Sequence, residues 1–498
     1  MQQILTSVLV TSVAVLCSAF VSTNVPLGHW SYDAIDKLIG QGLVDSSMMT
    51  TKPLSRFEMA RHIAEAVEKT QDRNDKNGII LSILDRLQAE FRPELIAMGV
   101  VEGQAHNSFI KPVEDPYVKY IYADTKPDLE NMRGDTFEKR SNYRAGFTSR
   151  MKFFGNTAFY FHPEFAASSW DSDEDIVLIE GYGKVALGIA EVELGRDSLW
   201  WGPGYQGSLI MSNNAEPFRM VKISTPGPIQ LPWILRNLGP CKVVWFLTEL
   251  ENDRVVPEAK LTGARFHFKP HTAVEVGASR VIMFGGSGMP SFDLVDYLKM
   301  WRPGREQEAN NQLAGVDVSV LLPLGPELPV RSVKLYGDFA GEDEAGSIPS
   351  NWGKLLGIQF NDILRTGKTD LRIEYADNHV PDDPDVFYTH SIYQSGYTYE
   401  DRIIGHHMGT NARDLFVRLT HYVTEDLILG LDYDREKRGI SSQSRQRRDI
   451  LGLDLTYFHS DEWRVKTGLR YENLESGNLF SPGLGDNKIF YLELTYEF

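Results

Sequence analysis

The sequence ends with Phe490-Tyr-Leu-Glu-Leu-Thr-Tyr-Glu-Phe498, which has an alternation of residue types. Counted back from Phe498 by twos, every residue is aromatic or aliphatic, and the residues between them are mostly polar. Because successive side chains of a β-strand point to opposite faces, this alternation predicts a strand with one apolar and one polar face. The pattern fits a strand of an ordinary soluble sheet or of a barrel wall that faces lipid on one side. The rest of the chain decides between these two.

The same alternation recurs throughout residues 105–498. In one example, Val316, Val318 and Val320 alternate with polar neighbours. Apolar groups on one face and charged groups on the other fit a transmembrane barrel with lipid outside and a polar interior. At roughly 10 residues per strand plus turns and loops, the region predicts a mainly β fold, a large antiparallel transmembrane β-barrel of about 16–18 strands around a lumen. A terminal aromatic residue such as Phe498 resembles the closing strand of bacterial outer-membrane barrels.

Residues 1–22 have the properties of a secretory signal peptide. An apolar stretch runs from Val8 to Phe20 and ends among small residues, although no Lys or Arg precedes it. Downstream, the sequence contains no run of about 18 or more apolar residues, which a membrane-spanning helix would need. We therefore expect an exported chain that resides in the outer membrane.

Composition excludes several classes of protein. The formal net charge of −17 argues against a nucleic-acid partner, because phosphates attract basic surfaces. Cys241 is the only cysteine outside the predicted signal peptide, so we expect no internal disulfide, no metal site and no redox cofactor. The 21 Tyr, 25 Phe and 9 Trp residues suit the aromatic girdles of a membrane barrel, and would also suit a carbohydrate-binding lumen.

Residues 25–70 have the pattern of a small all-α module. Ser55 and Glu58 form a predicted capping box, in which Ser55 caps a helix and Glu58 reaches back to the cap amide. Apolar residues then repeat at four-residue spacing, as on one face of a helix. The module is therefore predicted to contain two helices joined by a loop.

The order of residues in this module resembles an S-layer homology domain. The matching pieces are Val25-Pro26, His29-Trp30-Ser31-Tyr32, Gly42-Leu43-Val44 and Leu54-Ser55-Arg56-Phe57-Glu58. The resemblance implies a periplasmic module that grips peptidoglycan or another cell-wall polymer, with Trp30 stacking on the polymer and Arg56 pairing with its anionic groups. Alternatively, Trp30 belongs to the core of the module and Glu58 serves only as a helix cap.

Residues 71–104 are predicted to form a helical linker or a plug at the barrel mouth. Apolar residues repeat at spacings of three and four from Ile80 to Met98, as in an amphipathic helix. Pro93 should split this helix after Phe91 or Arg92, because proline cannot donate a helical hydrogen bond.

The segment from Leu194 to Phe218 contains a specific motif, Gly195-Arg-Asp-Ser-Leu-Trp-Trp-Gly-Pro-Gly-Tyr-Gln-Gly207. It resembles the signature of the capsule-assembly Wzi family, and the stretch from Gly405 to Leu415 is a second match. The resemblance implies an outer-membrane barrel that attaches capsular polysaccharide at the cell surface, although the better-known members lack the N-terminal module. Another surface glycan is therefore an alternative ligand.

Five residues of the motif are candidates for binding sugar. Trp200, Trp201 and Tyr205 offer faces on which sugar rings can stack. Arg196 and Asp197 suit sugar hydroxyls or acidic sugars. The alternative is that the segment folds inward to brace the lumen, with Arg196 and Asp197 as a structural ion pair.

Three functions follow from these patterns. The first is a barrel that is embedded in outer-membrane lipid and binds or anchors surface polysaccharide. Its periplasmic module would tether the membrane to the cell wall. The second is a porin that passes small solutes, and the third is a protein whose main task is the tether. No nucleophile elbow, zinc-protease helix or phosphate loop is present, so we expect no enzyme.

Overall fold

The described residues form a closed antiparallel barrel of 18 strands. The computed structural model describes residues 21–71, 77–171, 174–291, 293–302, 310–345, 348–442, 445–460, 462–476 and 485–497. Most of the predicted signal peptide (residues 1–20) and Phe498 lie outside the described residues. The predicted fold class and the predicted range of strand numbers are confirmed.

The barrel strands, β1 to β18, follow the chain order. They are Phe109–Ala123, Arg140–Phe153, Thr157–Ser168, Glu174–Leu187, Ala190–Asp197, Phe218–Ser224, Pro240–Glu249, Lys260–His271, Val274–Phe284, Asn310–Pro323, Val330–Ala345, Ile348–Ile363, Thr369–Asp377, Arg413–Tyr422, Leu427–Arg438, Gln446–Phe458, Trp463–Ser476 and Gly485–Tyr496. Each strand pairs with its neighbours in sequence, and β7 also pairs with a short segment after β6, Ile229–Gln230.

The last strand closes the barrel against the first. Tyr117 of β1 stands opposite Thr495 of β18, and the ladder continues to Ala123 opposite Ile489. Leu492 of β18 is 39% exposed on the outer face, whereas its neighbour Glu493 points inward. Strand β18 therefore has apolar groups on its outer face and charged groups on its inner face, as the alternation in its sequence predicts.

The connections between strands differ at the two ends of the barrel. At one end, residues 188–189 join β4 to β5, and residues 272–273 join β8 to β9. At the other end lie residues 198–217, 285–309 and 378–412. Outer-membrane barrels carry short turns in the periplasm and long loops outside the cell, so the long connections mark the extracellular end. We call residues 198–217 the signature loop and residues 378–412 the outer loop.

The N-terminal part of the chain is helical. Helices α1 to α4 are Ser31–Gly40, Arg56–Gln71, Gly78–Glu90 and Arg92–Ala97, and a fifth helix, Leu294–Met300, lies in a long extracellular connection. The predicted break near Pro93 is confirmed, since α3 ends at Glu90 and α4 begins at Arg92. No helix among the described residues is long and apolar enough to cross a bilayer.

These N-terminal helices sit inside the lumen, near its periplasmic end. Lys37 of α1 forms an ion pair with Asp370 of β13, with 2.7 Å between the Lys37 Nζ and an Asp370 carboxylate oxygen. Asp36 accepts hydrogen bonds from Lys334 and Arg372 at 3.0 and 2.7 Å. We call the described residues from 21 to 97 the plug, because charged groups on the inner barrel wall hold them within the lumen.

The structure corrects two expectations about this region. The module from 25 to 70 was expected to project into the periplasm, but α1 and α2 pack within the barrel. Ser55 does cap α2, accepting a hydrogen bond from the Glu58 amide at 3.2 Å. The Glu58 carboxylate does not reach back to the cap amide. It accepts hydrogen bonds of 3.0 Å from Lys242 of β7, because this buried wall cation needs a negative partner.

Candidate functional site

The signature loop folds inward from the extracellular end and meets the plug in the lumen. Trp200 and Trp201 form a two-residue antiparallel ladder with Lys52 and Thr51 of the plug. The amide of Gly202 continues it by donating to the carbonyl of Thr50 at 2.9 Å. Backbone hydrogen bonds therefore connect a loop from one end of the barrel to a segment that entered from the other.

Gly202 shows why the motif needs glycine at this point. Its φ is +145°, a conformation that residues with a side chain rarely adopt. A Cβ atom here would also lie 2.5 Å from the Ser208 hydroxyl and 2.9 Å from an Asp338 carboxylate oxygen. The tight course of the loop against the barrel wall therefore depends on the absence of a side chain.

The outer loop covers the signature loop from the extracellular side. The Tyr397 hydroxyl donates to the carbonyl of Ile210 at 2.9 Å, and the amide of Ser212 donates to the carbonyl of Ile404 at 2.9 Å. From the periplasm outward, the lumen thus holds the plug, the signature loop and the outer loop in three layers.

Two adjoining cavities lie between the plug and the signature loop. The larger has a volume of about 250 Å³ and is lined by Trp200 and Tyr205 together with plug residues that include Tyr32 and Lys52. The smaller has a volume of about 160 Å³ and shares Tyr205 with the larger one. The pair forms a polar and aromatic chamber, which we call the lumen chamber.

Trp200 borders the lumen chamber. Its side chain is 6% exposed, and the Lys52 Nζ lies 5.7 Å from its ring centroid. The indole N–H finds no hydrogen-bond partner among the described residues. Buried indole N–H groups usually have a hydrogen-bond partner, so this unpaired donor is an exception to the general rule.

Tyr205 also borders the chamber and is held from three sides. Its ring stacks on Phe416, with centroids 6.1 Å apart, and the Arg372 guanidinium lies 4.1 Å from the ring centroid. Its amide donates to Glu374 at 2.7 Å. Burial raises the pKa of Tyr205 to about 12, so the hydroxyl stays protonated at physiological pH.

The other three candidate residues have structural partners. Trp201 is 1% exposed and packs its edge on Phe246, with ring centroids 5.6 Å apart. Asp197 is buried, and one of its carboxylate oxygens accepts hydrogen bonds from Lys222 at 2.7 Å and from the Asn24 amide at 2.8 Å. These contacts brace the wall and the plug.

Arg196 points away from this network and forms an ion pair with Glu216. The alternative that Arg196 and Asp197 form one structural ion pair is therefore wrong, because each has another charged partner. The structure brings Trp200 and Tyr205 to one chamber and leaves Arg196, Asp197 and Trp201 outside it.

The charged lining of the chamber was not singled out by the sequence. The cations that line the larger cavity are Lys52, Lys334, Arg372 and Lys466, and the carboxylates are Asp33 and Asp36. Their signal lay in the strand alternation, which places Lys334 and Arg372 on the inner face. The alternation does not predict which plug residues contact Lys334 and Arg372.

Two plug residues in this lining have shifted pKa values. Burial would raise the pKa of Asp36, but Lys334 and Arg372 hold it well below its usual range. Burial lowers the pKa of Lys52 to about 8, and Lys334 adds to this effect. At neutral pH both groups are charged, and the lining of the larger cavity carries four cations against two carboxylates.

Trp30 and Arg56 have partners within the protein. The Arg56 guanidinium binds Glu94 at 3.0 Å and also pairs with Glu90. Trp30 packs its ring on Phe458 of β16, with 5.6 Å between the ring centroids. Arg56 holds the helices of the plug together, whereas Trp30 packs against the barrel wall and lines the smaller cavity of the lumen chamber.

The sequence of the barrel matches a known protein family. The model of the family named capsule assembly protein Wzi matches residues 121–482. The chain belongs to this family. It is accordingly an outer-membrane β-barrel, with the long loops at the extracellular end.

A solved structure shares the whole architecture of this family member. Wzi from Escherichia coli, described as an outer-membrane protein involved in group 1 capsule assembly and as a carbohydrate-binding β-barrel, superposes with a TM-score of 0.73. The alignment covers 95% of this chain and 99% of that one at 22% sequence identity, which shows a common fold.

Two curated relatives match parts of the chain. An uncharacterized 55.8 kDa protein in the cps region of Klebsiella pneumoniae is 35% identical over 188 residues, which is 36% of either chain. Outer membrane protein SlpA of Deinococcus radiodurans is 34% identical over 85 residues, 16% of this chain and 7% of SlpA. The chain thus spans about a third of the first relative and less than a tenth of the second.

Proposed function

We propose that this chain binds a surface polysaccharide in the outer membrane and takes up a short segment of it, about one sugar residue, in the lumen chamber. Membership of the capsule-assembly family supports the proposal, as does the carbohydrate-binding description of the Escherichia coli protein with the same fold. The chamber offers what a sugar ring needs, namely aromatic faces and polar groups in a concave site.

One observation carries this proposal against the porin alternative: the lumen is filled. The plug, the signature loop and the outer loop lie across the bore, and backbone hydrogen bonds join the first two. A barrel of this width would otherwise enclose a water-filled channel. A filled bore suits a binding protein, because solute passage requires a continuous path through the lumen.

The lining favours an acidic sugar. Lysine and arginine residues outnumber carboxylates four to two around the larger cavity. Arg372 is planar and offers several donors, which suits a uronic-acid carboxylate, while Trp200 and Tyr205 supply stacking faces. We therefore expect uronic-acid-containing oligosaccharides to bind more tightly than neutral ones of the same length.

The experiment is a binding titration of the detergent-purified full chain with acidic and neutral oligosaccharides, followed by tryptophan fluorescence. Trp200→Ala should weaken binding of the acidic ligand about tenfold, because it removes a stacking face. The matched control is Trp233→Ala, since Trp233 is 93% exposed outside the lumen. Equal affinities in the wild type and in a folded Trp200→Ala variant would refute the assignment of the chamber.

The predicted cell-wall tether stays a prediction, and it would need a surface other than Trp30 and Arg56. A pull-down with purified peptidoglycan and the full chain tests it directly. Deleting residues 25–70 is a poor test, because it would remove the plug and leave Lys242 of the barrel wall without its buried carboxylate partner, Glu58. Retention of the chain on peptidoglycan would support the tether, and a lack of retention would refute it.

A further inference from the structure

Four ionisable side chains meet at the extracellular end of the lumen. The outer loop and strands β14 and β15 contribute them, and we call them the His407 cluster: His407, Asp414, Asp434 and Glu436. Each residue offers one nitrogen or oxygen atom, and these four atoms all lie within 4.8 Å of one another. All four residues are buried, with His407 the most exposed at 5%.

The strand register concentrates negative charge at this point. Asp414 of β14 stands directly opposite Glu436 of β15, and Asp434 lies two residues from Glu436 on the same face. Like charges directly opposite each other destabilise a sheet, and buried carboxylates are costly unless a positive group compensates them. A cation between these carboxylates would therefore stabilise this pairing of β14 with β15.

Several atoms of the cluster have no hydrogen-bond partner. Within the described part of the chain, this holds for Asp414 Oδ1, Asp434 Oδ1 and both ring nitrogens of His407. The His407 Nε2 lies 3.0 Å from a Glu436 oxygen and 3.4 Å from an Asp414 oxygen, without hydrogen-bond alignment. Since buried polar atoms are nearly always paired, this group of unpaired atoms points to a ligand.

Neighbouring side chains hold the outer oxygens of two carboxylates. Gln206 donates to Asp434 Oδ2 at 3.3 Å. Arg438 and Arg448 approach Glu436 Oε2 at 2.9 and 3.5 Å. One oxygen of each carboxylate is thereby fixed, and the other is left to face the cluster. Such second contacts orient the ligands of metal sites.

We propose that the His407 cluster binds one divalent transition-metal ion and that this ion fixes the outer loop to the barrel wall. One imidazole with three carboxylates supplies four ligands, the number that Zn²⁺ prefers in tetrahedral protein sites. The imidazole nitrogen favours Zn²⁺ and similar ions over Ca²⁺ and Mg²⁺, which take oxygen ligands. Three carboxylates provide more than enough charge to neutralise the ion.

The position of the ion gives it a structural role. His407 lies in the outer loop, whereas its three partners belong to the barrel wall. Its backbone carbonyl accepts a hydrogen bond from Arg438 at 3.3 Å, so the loop already contacts the wall here. The bound ion would add a coordinate link and keep the cover over the signature loop closed. This inference does not depend on the proposed sugar binding.

A proton on His407 is the competing positive partner. Because a metal ligand must be deprotonated, a bound ion displaces this proton, and ion binding should weaken as the pH falls.

The test is a calorimetric titration of the EDTA-treated full chain with ZnCl₂, in parallel with CaCl₂. We expect one Zn²⁺ per chain, no saturable Ca²⁺ binding, a higher melting temperature with Zn²⁺, and slower amide exchange in residues 405–412. Asp434→Asn should weaken Zn²⁺ binding at least tenfold and should not lower the melting temperature of the metal-free protein, because it removes a like charge. This variant leaves the arginines beside Glu436 paired.

Two further variants serve as a control and as a second probe of the His407 cluster. Asp382→Asn changes an exposed carboxylate of the same loop and should leave Zn²⁺ affinity unchanged. His407→Gln, checked for folding by circular dichroism, should abolish the rise in melting temperature. The proposal is overturned if the wild type takes up no Zn²⁺, if Asp434→Asn binds it with wild-type affinity, or if Ca²⁺ binds as tightly.

Discussion

Replacing Glu58 by Gln should loosen the plug without opening the barrel. Glu58 and Lys242 are each 5% exposed, and both Glu58 oxygens lie 3.0 Å from the lysine Nζ. Removing one partner of a buried ion pair costs about 3–5 kcal/mol, mostly because the other charge stays buried and unpaired. At about 1.4 kcal/mol per tenfold, the undocked state of the plug should become roughly 100- to 4,000-fold more populated.

Amide hydrogen exchange measures this population directly. In Glu58→Gln, the amides of α2 should exchange faster by that factor, while those of β14 and β15 should keep their wild-type rates. The matched control is Glu68→Gln on the exposed face of the same helix, which should change neither. If α2 exchanges within about threefold of wild type, the buried pair does not hold the plug and the reasoning fails.

Two more predictions concern the plug and the loop that meets it. Burial lowers the pKa of His29 in the plug to about 4, below its ordinary 6.5, so the undocked state binds more protons between these values. Plug docking should therefore weaken as pH falls from 6.5 to 4, by at most about 3 kcal/mol, and His29→Gln should flatten this dependence in amide exchange. Gly202→Ala should displace the signature loop, because its Cβ would meet Ser208, and should produce channel openings in planar bilayers. Gly227→Ala, with open space around its Cβ, should stay closed, and equal conductance of the two variants would contradict the account.

The barrel could be predicted from the sequence because its determinants are local. Each strand has lipid on one side, so the outward residues alternate with inward ones regardless of which strand lies next to it. Leu431 and Leu451, for instance, are 44% and 52% exposed on the outer face. The closing strand followed from the same rule, and its pairing with β1 is confirmed.

The contents of the lumen could not be predicted, since they depend on contacts between distant parts of the chain. Arg56 has the spacing of a polymer-binding residue, yet its acidic partners Glu90 and Glu94 lie on the next two helices of the plug. Glu58 has the spacing of a capping residue, yet its partner is 184 positions away. A linear pattern contains no information about which cation a buried carboxylate will meet.

The candidate site shows the same limit at finer scale. Trp200 and Trp201 are adjacent and chemically identical, and the sequence ranked them equally. Their short strand in the lumen turns Trp200 toward the chamber and Trp201 toward Phe246. The His407 cluster was missed because its residues are spread over a loop and two strands, and the register of β14 and β15 brings the three carboxylates together.

A cross-link between the plug and the barrel wall tests most directly whether the N-terminal helices occupy the lumen. A Cβ on Gly40 would lie 2.8 Å from the Asn361 Cβ, near enough for a disulfide after a small shift. The chain with Gly40→Cys and Asn361→Cys should form this disulfide in intact outer membranes, as read by peptide mass spectrometry. Gly28→Cys with Asn361→Cys should not form one, because nothing lies within 4 Å of a Cβ at Gly28. A folded barrel without the first disulfide, or with both in equal yield, would contradict a plug seated in the lumen.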